Sequence, residues 1–268
     1  MDTATATRLE LLQHAWESNP FDSDLARANS SYAAFDGTSL VRLLETAKPG
    51  VFERIAHTSF RDFVLDDSFS CLGAKAALRS GTYRFGTYGQ LDDEAPTAGL
   101  ARDLYAFARE RQGFESLFTT YVAVFAGFER TDDPDLAFEG ALWRQLSRLH
   151  AIDRQEHAWD PRVSNDPADP NFSYSFAGTG FFVVGMHPDS TRSARRFAWP
   201  TLVFNAHEQF ETLRVRGQFT RLQERIRVRE IELDGSLNPN LSNFGDHSEA
   251  RQYAGRPLSE QWQCPFRP

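Results

Sequence analysis

Apolar residues recur along this chain with two periods, one near 3.6 and one near 2, and the two alternate through its length. Leu9, Leu12 and Trp16 share one helical face, which Pro20 closes. Leu40, Leu43 and Leu44 suggest a short helix ended by Pro49. Phe52, Ile55, Ala56, Phe60 and Phe63 predict a helix over 50–64, and GAKAALR after Cys71 predicts a smaller one stopped at Ser80-Gly81. The β-prone stretch Thr82–Tyr88 comes next. A helix through Leu100, Leu104 and Phe107 then runs to about Gln112, and a strand follows at Phe118–Phe125. Leu142, Trp143, Leu146 and Leu149 outline a strong amphipathic helix over 135–156.

The pattern then changes. Residues 159–171, WDPRVSNDPADPN, carry the Pro, Asp and Asn of a loop. Phe172–Phe176 and Gly180–Met186 read as a hairpin around Gly178-Thr179, and Thr201–Phe204 as a further strand after Pro200. Residues 207–231 look helical with a break near Gly217. Residues 234–268, rich in Asn, Gly and Pro, predict an ordered wrap without regular structure, a kind of segment that is often functional. No repeat or low-complexity linker divides the chain. The expectation is a single α+β domain over 1–268, with a helical N-terminal half packed on a mainly antiparallel C-terminal sheet.

Composition narrows the class. With 268 residues, 41% of them hydrophobic and 13% aromatic, the chain is no disordered tail and needs no disulfide staples. Its two cysteines, Cys71 and Cys264, are too few for a disulfide framework. A net charge of −8 argues against a nucleic-acid partner, since such binding rests on neutralised phosphates. No run nears the roughly 18 apolar residues of a membrane span, and MDTATATRLE lacks the apolar stretch of a signal peptide. These features predict a soluble cytoplasmic protein with no membrane partner. All but Lys48 and Lys75 of its 29 basic residues are arginine, which fits a GC-rich genome. Arginine also forks carboxylates as lysine does not.

Candidate chemistry lies at a few positions. HExxH, HxH and CxxC spacings are absent, as are GxGxxG, the P-loop and GxSxG. His150 and His157 stand two helical turns apart, a poor metal pair. His187 ends the strand FFVVGM and precedes Arg192, Arg195 and Arg196, which suits either a rim site for carboxylates or phosphates or a solvated turn. His207 follows the strand TLVF, either as a site residue or as a first-turn residue capped by Asn205. Cys264 in WQCPF is either a buried free cysteine or a Cys-Pro thiolate donor of the kind offered to haem iron. Cys71 in SFSCLGAK sits where a helix N-terminus would favour thiolate, with a structural cysteine as the plainer reading.

Taken in order, seven segments carry a resemblance. They are FSCLGAKAAL (69–78), YRFGTY (83–88), FFVVGMHPDSTRSARRF (181–197), PTLVFNAHEQFETLR (200–214), DGSLNPNLSNFG (234–245), SEARQYAGR (248–256) and WQCPF (262–266). Over about residues 50–268 the chain resembles the YqcI/YcgG family, described by its FPC/CPF motifs. One departure is that Phe-Pro-Cys stands here as Phe69-Ser70-Cys71, which keeps the cysteine and drops the proline. Characterised members are haem-dependent N-hydroxylases of guanidino groups, including enzymes of D-cycloserine and guanitoxin biosynthesis.

The resemblance implies protohaem (heme b), O2, an external electron donor and a guanidino substrate. The leading reading is L-arginine converted to Nω-hydroxy-L-arginine in antibiotic biosynthesis of the D-cycloserine type. The alternatives are a haem-binding sensor or carrier, and a haem oxygenase acting on another amine or amidine. Within the matching segments His207 is the first choice for axial iron ligand and His187 the second, with Cys264 as the alternative. Arg192, Arg195 and Arg196 are the propionate candidates. Glu208, Glu211 and Glu249 are the candidates for holding the substrate's cationic groups.

Overall fold

A computed structural model describes residues 18–268, so the helix expected around Leu9, Leu12 and Trp16 lies outside the described residues. Helix α1 (Asp24–Asn29) leads into strands β1 (Ala33–Phe35) and β2 (Leu40–Arg42), then α2 (Val51–Leu65) and α3 (Leu72–Arg79). Strand β3 (Tyr83–Gln90), helix α4 (Glu94–Glu110) and strand β4 (Thr120–Gly127) follow, and then α5 (Pro134–Asp153). The C-terminal part supplies β5 (Tyr174–Phe176), β6 (Thr179–Met186), β7 (Thr201–Ala206), α6 (His207–Val215), α7 (Phe219–Asp234) and the short α8 (Ala250–Tyr253).

The strands form one seven-stranded sheet in the order β2-β1-β3-β4-β7-β6-β5. Strands β3 and β4 pair in parallel, from Tyr83 opposite Thr120 onward, because α4 carries the chain back between them. The other neighbours are antiparallel. Alternation along the strands sorts side chains onto two faces. Tyr121, Ala123, Phe125, Phe181, Val183 and Phe204 pack with Leu104, Leu142 and Leu146 of α4 and α5. Val122, Val124, Met186 and Val203 face the other way, toward Phe60 and Val64 of α2 and Leu78 of α3.

Local chemistry fixes the element ends. Asp133 caps α5, its carboxylate accepting from the Leu136 N–H at 3.0 Å, and Pro134 stands in the first turn, where no N–H is needed. The β5–β6 hairpin turns at Ala177 and Gly178, both with positive φ, one residue earlier than the sequence suggested. The break expected near Gly217 is there, with φ of +66°, between α6 and α7.

The α+β class is what the structure shows. Two details differ from expectation. Leu40, Leu43 and Leu44 do not start a helix, because Leu40–Arg42 pairs with β1 from Ala33 to Phe35. Leucines at i, i+3 and i+4 over five residues fit either element, and pairing decides between them. The sheet also takes strands from both halves of the chain rather than from the C-terminal half alone, since β3 and β4 form its centre. No helix among the described residues is long and apolar enough to cross a membrane.

Candidate functional site

On the face away from α4 and α5, the register of β4, β7 and β6 places Thr120, Asn205, Phe182, Val203 and Val184 side by side. Helices α2 and α3 cover part of this face and α7 spans the rest. Leu222, Ile226 and Glu230 make the inner stripe of α7, at i, i+4 and i+8. Yet none of the 16 residues of α7 is fully buried. Space remains beneath the helix. A cavity of about 240 Å³ lies among Phe60, Cys71, Val184, Arg195, Ile226 and Glu230. A second, of about 160 Å³, shares Cys71, Phe182, Asn205 and Ile226 with it. A third, of about 120 Å³, extends past Phe182 and Phe210 to Glu249. Each alone is smaller than the roughly 300 Å³ at which ligand pockets begin. Phe182 lines all three, which lie side by side and together make a slot beneath α7.

The lid is fastened mainly at one end. Arg192 donates from Nη2 to Glu230 at 2.9 Å, and its Nε lies 3.2 Å from Asp234. The backbone N–H of Ser193 reaches Asp234 at 3.1 Å, and Arg229 donates to the carbonyls of Asp67 and, at 3.2 Å, Phe69. Gly217 and Gly235 flank α7, with φ of +66° and +72°. Both adopt the left-handed conformation that glycine takes without penalty.

Three ionisable groups stand out in the slot. Cys71 caps α3, its Sγ accepting from the Ala74 N–H at 3.5 Å. Burial raises its thiol pKa, and the N–H groups of Ala74 and Gly73 pull it back down. Arg195 donates from Nη1 to the carbonyls of Gly185 at 3.1 Å and Tyr253 at 2.9 Å. No carboxylate among the described residues pairs with it, and burial pushes its pKa down to about 10. Glu249 is buried at the far end, where desolvation pushes its pKa up to about 8 and leaves Oε2 without a hydrogen-bond partner. Beside it, His207 has Nδ1 at 3.8 Å from Glu249 and Nε2 at 3.3 Å from Glu211.

The structure thus brings Arg195, Arg192, Glu249, Glu211 and His207 to or beside the slot, with Arg192 committed to the lid. His187 is elsewhere. Its ring stacks on Phe138 of α5 at 4.5 Å, with Nε2 at 3.0 Å from Asp135, on the closed face of the sheet. Parity explains this, since residue 187 follows 181, 183 and 185, whereas the slot takes 182, 184 and 186. Arg196 is exposed and donates to the Ser190 carbonyl of its own loop at 2.8 Å. Glu208 pairs with Arg111 at 3.0 Å and lies 3.5 Å from Arg162, outside the slot. Cys264 joins the apolar cluster of the closed face, and burial pushes its thiol up to about 12. It also lines a separate open cleft of about 490 Å³, with Trp262, Arg251 and Arg267.

Asn205 does not cap α6. Its amide donates to the Phe182 carbonyl at 3.4 Å within the sheet. Sequence reasoning missed Phe182, Asn205 and the central place of Cys71. Parity along β6 and β7 marks the first two. The third was marked by its place directly before the helix at Leu72. Among the described residues no group of three or more His, Cys, Asp or Glu is arranged to hold a metal ion.

These features define an α+β protein in which one sheet face is sealed and the other carries an apolar slot beneath a loosely seated helix. Residues 60–267 match the YqcI/YcgG family, and the chain belongs to it. That span takes in the whole slot, its lid and the C-terminal wrap, and omits β1 and β2. No curated protein and no solved structure matches the chain.

Proposed function

We propose that this chain is a haem-dependent monooxygenase that hydroxylates a guanidino nitrogen, with L-arginine as substrate and Nω-hydroxy-L-arginine as product in antibiotic biosynthesis. The observation that carries the reading is the pairing of Cys71 and Arg195 on the wall of one apolar cavity. The side chains present have the chemistry to hold a porphyrin. Phe60, Val184 and Ile226 offer apolar walls, Cys71 a soft donor, and Arg195 a guanidinium with no carboxylate of its own. The sequence-favoured donors His187 and Cys264 lie on the other face, and His207 lines none of the three cavities, with Nε2 3.3 Å from Glu211 and an unpartnered Nδ1 3.8 Å from Glu249. Cys71 is therefore the residue that would hold iron, and Arg195 the residue that would hold a propionate.

Bound haem supplies the activation of O2 and the oxidising power, and the protein supplies placement and exclusion of water. The overall reaction puts one oxygen atom of O2 on the guanidino nitrogen. The other leaves as water, formed with two electrons from an external donor and two protons from solvent. Glu249 receives the cationic end of the substrate in the compartment beyond Phe182. Helix α7 lies over both compartments, and its inward movement on the bound ligands would keep bulk solvent out. No single compartment reaches the roughly 300 Å³ at which ligand pockets begin, so loading requires α7 to move outward about Gly217 and Gly235.

The test is expression with haem precursor, followed by absorption spectra of the ferric, ferrous and ferrous–CO forms. A stoichiometric Soret band, a thiolate-type CO band lost in Cys71→Ser, and hydroxyarginine formed from L-arginine with O2 and reductant are the expected results. Failure to retain or take up haem overturns the reading.

A further inference from the structure

The compartment at the Glu249 end of the slot already holds a guanidinium. Arg214, in the last turn of α6, sets its Cζ 4.5 Å from the ring centre of Phe219 and 5.3 Å from that of Phe244. It also donates from Nη1 to Glu211. Phe219 opens α7 and Phe244 belongs to the wrap that follows, so one planar cation links α6, the lid and the wrap. Phe182 and Phe210 complete an aromatic wall, and Glu249 lines the same space.

An Arg–Glu pair three residues apart on a helix is ordinary. Here, however, the arginine lies against two aromatic rings, in the same compartment as a buried carboxyl group that no arginine or lysine among the described residues pairs with. Aromatic faces together with a carboxylate are the chemistry that recognises a guanidinium. The buried Oε2 of Glu249 has no hydrogen-bond partner, and both cation–π contacts of the compartment are taken up by the protein's own side chain.

We infer that this compartment is a site for a guanidinium-type cation and that Arg214 is its resident stand-in. An incoming cation takes the place against Phe219 and Phe244 and reaches Glu249, which releases its proton to solvent as the cation arrives, while Arg214 turns out to solvent with Glu211. The inference rests on the proposed function only in identifying that cation with the substrate. It adds that the substrate must displace an internal competitor, and that displacement frees the Phe219 end of the lid.

Isothermal titration of the full chain with L-arginine and with methylguanidinium tests it, using wild type, Arg214→Ala, Arg214→Gln and the Arg214→Ala/Glu249→Gln double variant. Arg214 is half-buried and its removal leaves the core untouched. Loss of two ring contacts by the competitor predicts roughly tenfold tighter binding to Arg214→Ala. Arg214→Gln should show a smaller gain, and the double variant should lose it. Equal or weaker binding to both single variants, with unchanged melting temperature, overturns the inference. The Soret band of the same samples separates the two ideas. Haem uptake without tighter binding removes the stand-in role alone, and tighter binding without haem removes the oxygenase reading alone.

Discussion

The two faces of the sheet are built from the same strands with the same alternation, yet they are covered in opposite ways. On the α4–α5 face the packing admits nothing more. A methyl group at Gly185 would stand 2.7 Å from Leu142 Cδ1 and 2.8 Å from Phe138 Cε1. The buried charges there are paired internally, with Arg84 Nε donating to Glu110 at 2.7 Å and Tyr32 donating to the same carboxylate at 2.6 Å. On the α7 face the covering helix buries no residue fully, and Arg195 and Glu249 beneath it feel Glu230 and Arg214 only at a distance, without a direct ion pair among the described residues. Stability is concentrated on one face and adaptable chemistry on the other. A sheet allows this separation because its strands present independent surfaces to the two sides.

The largest effect should come from breaking the sealed face. Leu146→Ala should lower unfolding free energy by about 2–5 kcal/mol in urea melts, the range for a leucine truncated in a packed core. Ile226→Ala, under the lid, should lower it by about 1 kcal/mol or less. Equal losses at the two positions would abolish the contrast between the faces.

A smaller effect concerns pH. Glu249 has a folded pKa of about 8 against an ordinary 4.5, so the folded chain holds its proton where the unfolded chain has lost it. That contribution is fully present below about pH 4.5 and is lost as pH rises through 8. The lowered histidines His57, His150, His187 and His207 act in the other direction, and their contribution is largely complete once pH passes their ordinary 6.5. Asp103, raised to about 6, is nearly complete there as well. Between pH 6.5 and 8 wild type should therefore lose roughly 1–2 kcal/mol that Glu249→Gln does not. Parallel stability profiles across that window would refute the assignment.

The smallest global effect, and the most local, belongs to the lid clamp. Arg192→Ala removes the partner of Glu230 and Asp234. Amide exchange across Phe219–Asp234 should quicken severalfold while α4 and α5 stay protected. Uniform quickening over the molecule would mean that the two faces are not separable.

The sequence was informative where one element's own pattern decided the outcome. Helix α2, helix α5, the β5–β6 hairpin and the break at Gly217 all lie close to where apolar spacing and turn residues put them. It was less informative where distant segments decide, as at Leu40–Arg42, whose partner β1 is needed to make it a strand. The same holds at the site. His187 was recognised at a strand end, but the face it takes follows only once its parity is set against its neighbours. Arg192, Arg195 and Arg196 looked alike in sequence. They differ in what the fold brings to each of them, namely a pair of carboxylates for Arg192, two carbonyls for Arg195 and its own loop for Arg196.

Helix α7 sits between two glycines and contributes little to holding the molecule together, and this bears on how such a protein changes over generations. Substitutions at Leu222, Ile226 or Glu230 would reshape the slot while drawing little on the stability reserve, which mutations in the sealed face would quickly exhaust. New ligands could thus be tried by exchanging one removable wall, with the sheet and its two core helices inherited intact.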